Sequence, residues 1–60
     1  MLLGEYVIGA IVNYCIENRY SMRSQRRCVN RMTFCMSAQN RSRSLYSRLS
    51  ICKRQERRHR

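Results

Sequence analysis

Apolar and polar positions sort the chain into three stretches with a helical repeat. In the first, residues 2–16 (LLGEYVIGAIVNYCI), Leu3, Val7, Ile8, Ala10, Ile11, Val12, Tyr14 and Cys15 cover one wide arc. Glu5, Gly9, Asn13 and Glu17 follow one another at i+4 steps on the other side. Glu5 falls in the first turn and Arg19 just past the last, the charge order that suits a helix macrodipole. Tyr6-Val7-Ile8 and Ile11-Val12 are β-branched or aromatic, so the same stretch could also form a strand, with the helix as the preferred reading.

The second stretch, QRRCVNRMTFCMSA over about residues 25–38, places Cys28, Val29, Met32, Cys35 and Met36 on one narrow arc and Asn30, Thr33 and Ser37 away from it. Ser24 is the expected N-cap, and Asn40 the expected left-handed residue after the helix. Arg26 and Arg27 then sit in the first turn, where the macrodipole disfavours cations, so local cues conflict here. Phe34 points off the arc, which implies either a short helix or a partner for the ring. The arc reads first as a packing face for the first helix, and second as an adaptable Met- and Cys-rich groove.

The third stretch opens on the Arg/Ser run Asn40-Arg41-Ser42-Arg43-Ser44, which reads as a linker, and continues as a helix over about residues 44–57 with Ser44 as N-cap. Leu45, Leu49 and Cys52 share a face with Tyr46 at its edge, and Glu56 has Arg60 at i+4. Tyr46, like Tyr20, is expected to pack, with stacking on an unpaired base as the alternative. With no Pro, and with both glycines near the start, hairpin punctuation is missing. The fold class expected is therefore all-α: two or three short amphipathic helices, partly disordered alone, with an Arg/Ser linker and a basic tail. The expected contact set is Leu3, Val7, Ile11, Val12, Cys28, Met32, Cys35, Leu45 and Leu49.

Length and charge limit what such a chain can do. It has 60 residues with 13 Lys and Arg against 3 acids, a formal net charge of +10. A domain of this size hides only about 60% of its unfolded surface, and self-repulsion adds to the cost of compaction. The charge is bipartite: residues 1–18 carry two of the acids and no base, and residues 19–60 carry every Arg and the single Lys. Arginine in place of lysine favours bidentate contact with phosphate and stacking on bases.

The expected function is accordingly that of a small, basic, non-catalytic protein that holds the phosphate backbone of nucleic acid, RNA in preference to DNA, as part of a ribonucleoprotein. The candidate contacts are Arg23, Arg26, Arg27, Arg31, Arg41, Arg43, Arg48, Lys53, Arg54, Arg57, Arg58 and Arg60. Two other readings stand beside it. One is a membrane-associated protein whose apolar first segment anchors while the basic remainder lies on anionic lipid. The other is a reading frame without a selected function, whose Arg, Ser and Cys content reflects nucleotide composition.

Chemistry other than binding finds little support. Glu5, Glu17 and Glu56 are scattered, there is no Asp, and His59 lies in the tail between arginines, so no enzyme is expected. Cys15, Cys28, Cys35 and Cys52 contain no C-x-x-C knuckle, so neither a metal nor another cofactor is expected. The first segment is short for a membrane span, and Glu5 precedes any base, unlike a signal peptide. Cytoplasmic or nuclear location and free thiols follow as expectations; export would instead allow three pairings of the four cysteines. Phosphorylation of Ser42 or Ser44 would reduce the local charge.

Overall fold

The computed structural model describes residues 5–18 and 21–58. It contains three helices, α1 (Glu5–Glu17), α2 (Met22–Ala38) and α3 (Leu45–Arg58), and no strand among the described residues. α2 is central and packs against both neighbours.

The helix starts follow one local rule used twice. Ser21 caps α2 from an extended conformation, its Oγ accepting from the Ser24 backbone N–H at 3.3 Å. Ser44 Oγ accepts from the Ser47 N–H at 3.1 Å at the start of α3. In both places the third residue on is also a serine, whose hydroxyl is hydrogen-bonded to the capping one. Ser44 thus takes the expected role, but the cap of α2 is Ser21 and not Ser24. The helix begins at Met22 and not near residue 25, which moves Arg26 and Arg27 off its first turn and leaves Arg23 there.

Gln39, in an extended conformation, closes α2, while Asn40 accepts with its Oδ1 from the Ser42 N–H at 2.9 Å and turns the chain towards α3. At the end of α1 the Tyr14 carbonyl accepts twice from Asn18, from its backbone N–H at 3.2 Å and from its Nδ2 at 2.7 Å.

Each helix buries one stripe at i, i+4 and i+8: Val7, Ile11 and Cys15 on α1, Cys28, Met32 and Met36 on α2, and Arg48, Cys52 and Glu56 on α3. Tyr14, Val29, Cys35 and Leu49 flank this core. Of the expected contact set, Leu3 lies outside the described residues, Val12 is half-buried and Leu45 is exposed. The core is thin in large apolar side chains because every stripe includes a cysteine and that of α3 carries charge at both ends.

Covalent ties compensate. Cys15 is bonded to Cys28 across α1 and α2, and Cys35 to Cys52 across α2 and α3. This corrects the expectation of free thiols, as no free cysteine remains. Folding the helices back on one another makes each pair bracket one connection, so the sulfurs meet although no two cysteines are close in sequence. Closing loops of this length contributes about 3 kcal/mol each in the chain-entropy account.

Candidate nucleic-acid interface

The twelve basic residues singled out from the sequence divide according to what the fold does with them. Two are used in contacts between helices. Arg48 is buried, and its Nη2 donates to the Met36 carbonyl, with no partner for Nε among the described residues. α2 has no basic residue in its own last turn, so Arg48 supplies from α3 the cation that a helix C-terminus favours. Arg48 is thus turned inward, a correction to the exposed position expected of it.

Arg31 is the second. Its Nε and Nη2 close on Glu56, with Nε 2.8 Å from Oε1 and Nη2 2.9 Å from Oε2. This ion pair stands where the sequence pattern pairs Glu56 with Arg60, a residue outside the described ones. Arg31 therefore serves the α2–α3 seam with its charge largely neutralised.

Lys53 is half-buried over α1. Its Nζ sits 5.4 Å from the centroid of the Tyr14 ring, and Tyr14 donates its hydroxyl to the Lys53 carbonyl at 3.4 Å.

The remaining eight described residues, Arg23, Arg26, Arg27, Arg41, Arg43, Arg54, Arg57 and Arg58, are exposed. Arg23, Arg27 and Arg31 follow at i+4 steps and so form one ridge along α2, which Phe34 extends three residues further on. Phe34 is 76% exposed on a helix of full length, so of the two explanations open to its off-arc position, a short helix is excluded. Arg54 and Arg58 form an i+4 pair on α3. The ridge reaches α3 at Arg31, whose partner Glu56 lies between these two arginines in sequence. Arg41 and Arg43 stand apart, in the turn between α2 and α3, where the Arg43 N–H donates to the Asn40 carbonyl at 3.0 Å.

Tyr46 is 81% exposed, contrary to the packed position expected of it, while Tyr20 and Arg19 lie outside the described residues. No described group of three His, Cys, Asp or Glu side chains is arranged to hold a metal ion. No described helix is long and apolar enough to cross a membrane. Comparison with protein-family models gave no match, and no significant match was found among curated proteins or solved structures.

Proposed function

We propose that the protein is a small non-catalytic binder of nucleic acid, RNA in preference to DNA, that holds backbone phosphates along the α2 ridge and the outer face of α3. The observation that carries this reading is the alignment of Arg23 and Arg27 with the exposed ring of Phe34 on one face of α2. Guanidinium groups supply sequence-independent phosphate contact, and an aromatic ring standing free beside them offers a surface on which an unpaired base stacks. Arg54 and Arg58 widen the cationic face, and Arg41, Arg43 and Tyr46 extend it at the far end of the bundle. Arg31 and Arg48 hold the scaffold instead of the ligand.

A single strand suits this surface better than a duplex, because stacking on Phe34 needs a base that is not already stacked on both sides. α3 docks through a stripe that is polar at both ends, which supports local opening of this helix in the unbound protein and tightening on the polyanion. Paired cysteines favour an oxidising compartment in place of the cytoplasm or nucleus expected from the sequence. A role within a larger ribonucleoprotein then requires that the assembly form where the disulfides persist.

The test is fluorescence anisotropy of a labelled, unstructured RNA oligonucleotide with the oxidised protein. Arg27→Glu with Arg58→Glu is expected to weaken binding about tenfold or more at low salt while leaving the helical circular dichroism unchanged. Phe34→Ala is expected to lower affinity for single strands by the equivalent of ~1–3 kcal/mol and to affect duplex little. Equal affinity in wild type and the double Glu variant contradicts the proposal.

A further inference from the structure

The first helix carries two apolar stripes, and the fold uses one. Val7, Ile11 and Cys15 are spent on the core, whereas Ile8, Val12 and Ile16 repeat the same i+4 spacing one residue round the helix and look outward. Ile8 is 45% and Ile16 52% exposed, Val12 is half-buried, and the 82% exposed Met22 at the start of α2 continues the strip. Between α1 and α2 the strip deepens into an open groove of about 490 Å³, floored by Val12, Ile16 and Val29 and edged by Arg23 and Arg26. An apolar strip on a small bundle, rimmed by polar groups, marks a contact surface and not ordinary scatter of apolar residues.

We infer that this face, formed by Ile8, Val12, Ile16 and Met22 with Arg23 and Arg26 at its edge, docks on an anionic lipid bilayer. Charge complementarity selects this occupant. The groove is edged by two guanidinium groups in a chain of net charge +10, so whatever lies over it must be anionic where it meets Arg23 and Arg26 and apolar where it meets Ile16. Of the acids of α1, Glu5 comes three residues before Ile8, at the beginning of the strip. Glu17 is turned about 100° or more round the helix from Ile8, Val12 and Ile16 alike, so no carboxylate falls within the strip from Ile8 to Ile16, while Glu5, seven residues before Val12, shares the strip's side of the helix at its N-terminal end.

The headgroup phosphates meet the arginines, and the isoleucines and Met22 enter the boundary between headgroups and acyl chains, as an interfacial amphipathic helix does. This surface shares only Arg23 with the nucleic-acid ridge: Arg26 edges the groove beside α1, while Arg27 lies one step round α2, away from it. The inference therefore stands whether or not the protein binds RNA.

The test is co-sedimentation of the oxidised protein with phosphatidylcholine vesicles, with and without about a third of phosphatidylglycerol. Wild type is expected to sediment with the anionic vesicles only. Ile8→Gln with Ile16→Gln should reduce partitioning about tenfold, because both side chains already meet solvent in the folded protein and the change removes only what lipid burial adds. Arg26→Gln should weaken it at low salt, and Arg27→Gln should leave it nearly unchanged. Circular dichroism of each variant, matching wild type, shows that the fold is kept. Failure to sediment overturns the inference, as does sedimentation that the double Gln variant leaves intact. A dimer in lipid-free solution that the same variant splits also overturns it, since a second copy would then cover the strip.

Discussion

Arg31 and Glu56 form a bidentate pair whose two ends differ in burial, the Arg31 side chain being 44% exposed and that of Glu56 1%. The pair is consequently asymmetric towards mutation. Removing the guanidinium strands a carboxylate in the bundle, whereas removing the carboxylate leaves a guanidinium that water can solvate. Arg31→Met is expected to destabilise by about 3–5 kcal/mol, the cost of a buried charge without its partner. Glu56→Gln should cost about 1–2 kcal/mol, and Arg31→Met with Glu56→Met less than Arg31→Met alone. Urea unfolding of the oxidised proteins checks the order, and equal losses in the two single variants contradict it.

Gly9 offers a stabilising change. It is exposed in the interior of α1, and a Cβ built there meets nothing within 4 Å. Gly9→Ala should raise stability by about 0.5–1 kcal/mol, since it removes unfolded-state freedom without a steric cost. An unchanged or lower midpoint in urea counts against the described packing of α1.

The two disulfides should respond differently to reductant. Cys15 and Cys28 are both fully buried, while Cys35 of the second pair is partly exposed. Exchange requires a thiolate to reach a sulfur, so limited reduction followed by alkylation should label Cys35 and Cys52 first. Because the buried stripe of α3 is Arg48, Cys52 and Glu56, with little apolar area, that step should also release α3 and lower helicity. Mass mapping that finds Cys15 and Cys28 labelled first refutes this order.

Periodicity makes the first two stripes readable, because Val7, Ile11 and Cys15, and Cys28, Met32 and Met36, are apolar at helical spacing. The stripe on α3 is only partly legible. Cys52 falls on the inner face of the pattern, but Arg48 reads as a solvent-facing cation and Glu56 as half of a local pair, because charge is ordinarily exposed. Their i+4 spacing on either side of Cys52 is the available signal. The cysteine pairing is hidden for another reason: the spacings match no metal knuckle, and four cysteines alone leave three pairings open. Treating the helices as antiparallel neighbours shows that Cys15 and Cys28 bracket the first connection and Cys35 and Cys52 the second. At the candidate interface, exposure of Arg23, Arg27 and Phe34 matches the sequence pattern, while the use of Arg31 and Arg48 as struts depends on tertiary contacts that no single helix reveals.

The central claim, that exposed arginines on a disulfide-tied bundle hold phosphates, is tested most directly by the salt dependence of RNA affinity. With about six phosphates neutralised, the affinity of the oxidised protein should fall about a thousandfold between roughly 50 and 200 mM monovalent salt, and Arg27→Gln should reduce the slope by about one. Affinity that does not change with salt, or absence of binding at low salt, contradicts it.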